Sequence, residues 1–362
     1  MRGVQRIVDS HGDLSYKAQI RRDGHPYECK RFASLDAAAK WKRSRESEID
    51  RGLFIDRREA AKFTVGDLFK KYRLEVTPNK RGKAVETARL LKLETDDLAK
   101  INAAIVQSHH LNDWMGRRKT QDGRGKKKIS GSTINRDLSL ISHVFTKAAK
   151  AWRIHIDNPV ALVERPQSAR PRDRRLSAAE VAAICAATSS PQLPAILRLA
   201  VETGMRRGEL LEMTWEAIDL ESRFVDLDLT KNGDERRVPL NAAAVATLAA
   251  LPRPIKGGRV FTGNAQSMSR AMRRAADRAR LRYEADCKAR GVAADPKFLR
   301  GARLHDGRHE TVSRLVEAGV DQLTTAKIVG HKTLAMTNRY FTARDGHLLA
   351  AVDAAAARAA AA

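Results

Sequence analysis

Between Leu304 and Tyr340 the chain reads LHDGRHETVSRLVEAGVDQLTTAKIVGHKTLAMTNRY, and two glycines divide it into three pieces. Thr311, Leu315 and Val316 form a stripe of helical period that stops at Gly319, a residue suited to the left-handed position after a helix. Asp321 is placed to cap a second helix carrying Leu323, Ile328 and Val329, and Gly330 ends it. Thr333 is placed to cap a third, with Met336 and Tyr340 four apart on one face. Tight turns at the two glycines fold these helices together and bring the ends of the stretch close in space. His305, Arg308, His331 and Tyr340 then converge.

That set has a definite chemistry. A guanidinium is always charged and presents a fork of donors to the nonbridging oxygens of a phosphate. Imidazoles move protons or donate hydrogen bonds near neutral pH, and a phenolate can attack phosphorus. Each piece is weak alone: H-x-x-R is common, and a tyrosine following a methionine is more often core. The segment 199–220, LAVETGMRRGELLEMTWEAIDL, adds Arg206 just after Gly204, at a turn between helices, with Glu209 three residues on. Glu209 sits where it could orient Arg206, or where any helix surface carries a glutamate. Phe224, Asp226 and Asp228 alternate with Val225, Leu227 and Leu229 as a strand. Asn232-Gly233 is a hairpin turn and Arg236 to Leu240 the return, so Lys231 stands at the tip. A lysine at a hairpin tip is in most chains simply solvated.

With these residues in this order, the chain resembles the tyrosine recombinase (phage integrase) family. The family's first arginine matches Arg206 in TGMRRGE, and its hairpin lysine matches Lys231. Its H-x-x-R box matches His305 and Arg308, the histidine of its L-G-H box matches His331 in VGH, and its nucleophile matches Tyr340. The usual HDLRHT reads HDGRHE here, with Gly307 for Leu and Glu310 for Thr, departures that bear on local packing. The resemblance implies an enzyme that cleaves and rejoins DNA through a 3′-phosphotyrosine, integrating or excising a phage or mobile element. It implies Tyr340 as nucleophile, Arg206 and Arg308 as phosphate clamp, His305 as base, Lys231 as acid, His331 as support for a nonbridging oxygen and Glu209 behind Arg206. Two arginines and a lysine supply positive charge, so no metal is implied, and no nucleotide-binding motif is visible. Double-stranded attachment sites, a homotetramer on DNA (a monomer when free) and accessory bending or excision proteins are the partners implied. A type IB topoisomerase shares the chemistry, and a non-catalytic DNA-binding regulator could keep the scaffold.

Charge agrees with a polyanionic partner: Lys+Arg number 68 against 43 Asp+Glu, a net charge of +25. Cys29, Cys185 and Cys287 are far apart, form no C-x-x-C pair and fit a reducing bacterial cytoplasm, in association with the nucleoid. No apolar run is long enough to span a bilayer.

The rest of the chain reads as a multidomain, mainly α protein. Residues 1–55 hold a strand with Tyr16, Ala18 and Ile20 on one face, an Asp23-Gly24 turn, a return strand Tyr27 to Phe32, and a helix capped by Ser34 that carries Trp41. This small β-sheet plus helix resembles an arm-type DNA-binding module, with Lys17, Arg21 and Arg22 towards DNA or merely on a solvated face. Residues 63–166 are an all-helical (SAM-like) core-binding domain. A helix opens at Thr64 and Asp67; others are expected at Glu86 to Leu93 and within Asp97 to Ile105. Residues 116–131 read as a basic loop in which Lys126, Lys127 and Lys128 meet phosphates or stay solvated. Ser132 then caps a long helix. Residues 167–175 are a basic interdomain linker, able to lie along the DNA backbone. Residues 176–345 form a mixed α+β catalytic domain with a small antiparallel sheet. It opens with a Ser177–Glu180 capping box and contains helices at 241–251 and 265–290, some of whose arginines (Arg270, Arg273, Arg274, Arg278, Arg280, Arg282) face DNA. The Ala-rich tail, 346–362, has helix propensity but little to bury.

Overall fold

A computed structural model describes residues 3–8, 13–52, 56–123, 128–169, 172–227, 236–338 and 340, with residues 352, 353, 356, 357 and 360 of the tail. Lys126, Lys127, Lys231, the Asn232-Gly233 turn and most of the tail lie outside them. The chain divides into two units, Met1–Arg170 and Pro171–Ala362.

In the first unit, strands β1 (Val4–Val8), β2 (Leu14–Ile20) and β3 (Glu28–Phe32) form an antiparallel sheet in sequence order. β1 is a strand that the sequence pattern did not announce. Helix α1 (Leu35–Asp50) covers one face; Ser34 Oγ caps it at the amide of Ala37. Ala18 and Ile20 are buried as their alternation requires, with Ala38 and Ala39 opposite. The β2–β3 connection is longer than a two-residue Asp-Gly hairpin: it spans residues 21–27, with Gly24 at φ +76°. Lys17 is half-buried; Arg21 lies over the Tyr27 ring and Arg22 pairs with Asp50.

Helices follow at α2 (Arg58–Ala61), α3 (Val65–Glu75), α4 (Lys83–Glu94), α5 (Ser108–Thr120) and α6 (Gly131–Ala151). Thr64 and Asp67 make the expected reciprocal cap. Val65, Leu68, Phe69 and Tyr72 are buried with Trp114 and with Ile134, Leu138, Ile141 and Phe145 of α6. Three expectations are corrected. Asp97–Lys100 is one turn of 3₁₀-helix, and no α-helix continues to Ile105, because Asp96 caps at Leu98 and the backbone turns extended at Ile101. Half of the supposed basic loop is helix, since α5 runs on to Thr120 by burying Leu111, Trp114 and Met115. The cap of α6 is Ser130, whose side chain accepts from the amide of Thr133, so Ser132 lies inside the helix. Lys128 is bonded to Asp122 and to the carbonyl of Thr120.

The second unit is built around α8 (Leu193–Thr203), which is buried along most of its length. It follows α7 (Ala178–Ala187), whose Ser177–Glu180 box is present. Gly204 ends α8 in the left-handed conformation, and α9 (Arg207–Glu212) begins at once. Strands β4 (Ile218–Asp219), β5 (Phe224–Leu227) and β6 (Arg236–Pro239) make a second antiparallel sheet, with Val225 opposite Val238. Then come α10 (Ala242–Ala249), α11 (Ala265–Ala289), α12 (Leu304–Glu317), α13 (Gln322–Val329) and α14 (Leu334–Asn338). Of the α11 arginines, three are occupied within the protein. Arg278 donates to Ala187 O, Arg282 to Ala186 O, and Arg280 to Glu284, Asp295 O and Phe298 O.

The expected linker is also occupied. Arg172 reaches Asp306 at 2.8 Å, Arg174 pairs with Glu180, and Arg175 binds Glu310 at 2.8 Å and Glu317. These guanidiniums engage buried carboxylates of α7 and α12, a stronger attraction than a solvated phosphate backbone offers a surface charge.

Candidate active site

α12 is the platform. It lies directly on α8 because Gly307 has no side chain: a Cβ there would sit 3.1 Å from Val201 Cγ2 and 3.4 Å from Ala200 Cβ. Thr311 fastens the contact by donating to the carbonyl of Val201 at 2.7 Å. On this platform His305, Arg308 and His309 fall at i, i+3 and i+4, one above another on a single face. His305 is exposed, while Arg308 and His309 are each 4% exposed.

Gly204 lets the chain turn tightly between α8 and α9, and its carbonyl accepts from Arg308 Nη1 at 2.7 Å. Two residues on, Arg206 precedes α9 in an extended conformation that aims its side chain across the turn. Glu209 holds it twice, Oε2 accepting from the Arg206 amide at 2.8 Å and Oε1 from Nη1 at 2.7 Å. Arg206 Nη2 donates to the carbonyl of Gly330. A third guanidinium, Arg236 at the start of β6, stands 3.3 Å from Glu209 Oε2 and donates to the carbonyl of Val329.

Three guanidinium charges therefore crowd one carboxylate. Burial alone would raise the Glu209 carboxyl, but Arg236 and Arg206 hold it below its usual range. Burial first, then Arg206 and Arg236, bring the Arg308 guanidinium down to about 9. Fixed positive charge in excess of its counter-charge, in a poorly solvated setting, is a preorganised anion site.

The Gly319 and Gly330 turns deliver the rest. α13 is capped by Asp321, whose side chain accepts from Thr324, and ends at Gly330, φ +68°. Next comes His331, whose Nδ1 is bonded to the buried Thr337 Oγ1 at 2.7 Å. That bond fixes the ring and assigns Nδ1 its role. α14 starts one residue after Thr333, and Tyr340 follows it in a turn, its amide donating to Thr337 O at 2.9 Å. Met336 is half exposed and so takes no part in a core with Tyr340. The Tyr340 ring stacks on His331 (centroids 6.4 Å apart, planes at 18°), and its hydroxyl bonds His309 Nδ1. The phenol also acts electrostatically on Arg308.

Of the residues expected from sequence, Arg206, Arg308, His331, Tyr340 and Glu209 come together, and His305 borders them, its ring 5.1 Å from that of His309. Lys231 is outside the described residues. Sequence reasoning missed His309 and Arg236. The first had a signal: it directly follows Arg308 in HDGRHE, where the family pattern HDLRHT also has histidine. Nothing in the local pattern marks Arg236 apart from other strand arginines.

The comparisons with known proteins agree with this arrangement. Residues 174–347 match the model of the phage integrase family. The chain is 31% identical to a shufflon-specific DNA recombinase of Escherichia coli over 297 residues, 81% of this chain and 72% of that one. Among solved structures it is similar in fold to the Tn1549 transposon integrase in complex with a circular intermediate DNA (TM-score 0.61, 21% identity, 80% of this chain and 99% of that chain). It is similar also to a lambda integrase dimer bound to a COC′ core site (TM-score 0.54, 20% identity, 94% and 96%). With a catalytic platform, arginine pair and tyrosine in the arrangement just described, the chain belongs to the phage integrase family and is a site-specific tyrosine recombinase, an enzyme that cuts and rejoins DNA.

Proposed function

We propose that Tyr340 is the nucleophile of this recombinase. Its oxygen attacks the scissile phosphorus, the P–O5′ bond breaks, and a 3′-phosphotyrosine and a free 5′-hydroxyl result. The observation that carries the reading is the Tyr340–His309 bond beside the Arg206 and Arg308 guanidiniums. His309 is placed to take the phenolic proton; His305 lies one helical turn earlier on the same face. Arg206 and Arg308 hold the nonbridging oxygens, Glu209 keeps Arg206 in position, and His331, fixed by Thr337, donates to a nonbridging oxygen. Lys231, at the tip of the β5–β6 hairpin in sequence, gives its proton to the departing 5′-oxygen.

The substrates in this reading are double-stranded attachment sites of a phage or mobile element, recombined by a homotetramer with accessory DNA-bending proteins. The sheet and α1 of residues 1–55 act as an arm-type DNA-binding module and residues 63–166 as the core-binding domain. Among the described residues no helix is long and apolar enough to cross a membrane. Strand polarity is the test: on an attachment-site duplex labelled separately at each end of the cut strand, the label on the 3′-phosphate side becomes protein-linked and the other fragment ends in a free 5′-hydroxyl. Protein linked to a 5′-phosphate contradicts the reading.

A further inference from the structure

We infer that Arg236 is a positioning residue that registers the hairpin carrying Lys231 against the turn leading into His331. The inference rests on reading Lys231 as the proton donor. Arg236 is the first residue of β6, five positions after Lys231 on the returning arm of the hairpin. Its side chain is 8% exposed and spans two other elements. Nη1 donates to the carbonyl of Val329, at the end of α13, and Nη2 lies 3.3 Å from the carboxylate that holds Arg206. One guanidinium thus touches the turn before His331, the partner of Arg206 and the root of the hairpin.

Two observations indicate that this clasp is built for the site. Arg236 Nε and Nη2 are fully enclosed and, among the described residues, have no hydrogen-bond partner; the Glu209 contact is electrostatic only. A guanidinium held this way is unfavourable on its own account, and an apolar residue would serve the strand as well or better. Those enclosed atoms cannot reach a phosphate, so Arg236 acts through its neighbours. Gly330 also makes room for it. A Cβ there would lie 2.2 Å from Arg236 Nη1 and 2.7 Å from its Cδ, so the glycine before His331 serves the crossing arginine as well as its own positive φ. A short hairpin paired only over Phe224–Leu227 and Arg236–Pro239 leaves its tip free to swing. Anchoring its root to α13 and to Glu209 fixes the direction in which that tip points.

The test measures single-turnover formation of the covalent adduct on nicked attachment-site duplexes with either the ordinary 5′-oxygen or a bridging sulfur at the scissile bond. A thiolate leaves without receiving a proton, so sulfur relieves only defects in proton donation. Arg236→Met, Arg236→Lys and Lys231→Ala are compared with the unaltered chain, and folding is checked by circular dichroism. With oxygen, Arg236→Met is expected to be about tenfold to a hundredfold slower, less than loss of the acid itself costs. With sulfur it returns to within about threefold of the unaltered chain, as Lys231→Ala does, and DNA affinity is unchanged. Arg236→Lys behaves alike, because one ammonium cannot span both Val329 O and Glu209, and it carries the test if the methionine variant does not fold. Arg236 variants at full speed on oxygen, or equally slow on both substrates while Lys231→Ala is rescued, overturn the inference. A Lys231→Ala defect that sulfur leaves in place overturns the proton-donor reading instead, and this inference falls with it.

Discussion

The hydroxyl of Tyr340 is hydrogen-bonded to Nδ1 of His309, which lies 31 residues earlier on α12, immediately after Arg308. A nucleophile and its proton acceptor thus sit on opposite sides of the two glycine turns, and the neighbouring guanidinium belongs to the residue beside the acceptor. His309, rather than the exposed His305, is the imidazole at the phenol. His309→Ala should slow single-turnover adduct formation by about a hundredfold, and His305→Ala by less, with DNA affinity unchanged in both. The check is a side-by-side rate measurement on one nicked duplex; the reverse ranking would restore His305 as the base.

Arg308 gives a pH signature. Burial, then Arg206 and Arg236, bring its guanidinium down to about 9. A depressed cation keeps its charge below that value and loses it above, so the charge that clamps the phosphate is present at neutral pH and fades in alkali. In the free enzyme kcat/KM should fall as pH rises through about 9. Arg308→Lys should be nearly inactive at neutral pH, because a lysine in the same enclosure starts from a lower value and is pushed down by the same burial and neighbours. A profile flat to pH 10, or an active lysine variant, would contradict this.

Asp306 ties the segment after residue 171 to the catalytic helix. Its side chain is 2% exposed; it accepts from Arg172 at 2.8 Å and from the Arg303 amide at 2.9 Å, with Arg174 at 3.8 Å. Asp306→Ala leaves these donors facing a cavity and should destabilise the second unit by roughly 3 kcal/mol. Urea unfolding followed by fluorescence measures it, and a loss under about 0.5 kcal/mol would mean the pairs are only surface contacts.

Gly307 stands where the family pattern has leucine, and the close approach of α12 to α8 explains it. Gly307→Leu, although it restores the pattern, should overpack the contact with Ala200 and Val201 and cost about 1–3 kcal/mol in thermal or urea denaturation. A neutral or stabilising result would show that α12 can withdraw from α8 without loss. The other departure, Glu310 for threonine, has its own partners in Arg175 and Arg314.

Much of this was legible because it is local. Thr64–Asp67, Ser177–Glu180 and Asp321 announce helix starts through side chains that bond their own backbone three residues on. Gly204, Gly319 and Gly330 announce ends because all three adopt positive φ. From those turns the meeting of Arg206, Arg308, His331 and Tyr340 follows. What stayed hidden depends on contacts distant in sequence. His309 acquires its role only when Tyr340 folds back onto it, Arg236 only when β6 crosses α13, and Arg172 to Arg175 only when α12 offers carboxylates. Ser130 and Ser132 are equally good caps by composition, and packing of α6 chooses between them.

The central claim is that Tyr340 becomes covalently joined to DNA. Trapping the full-length protein on a nicked attachment-site duplex, digesting it and mapping the nucleotide-bearing peptide by mass spectrometry addresses this directly. The account predicts a phosphodiester on Tyr340, and no denaturation-resistant adduct from Tyr340→Phe. A nucleotide on another residue, or an adduct that persists in Tyr340→Phe, would contradict it.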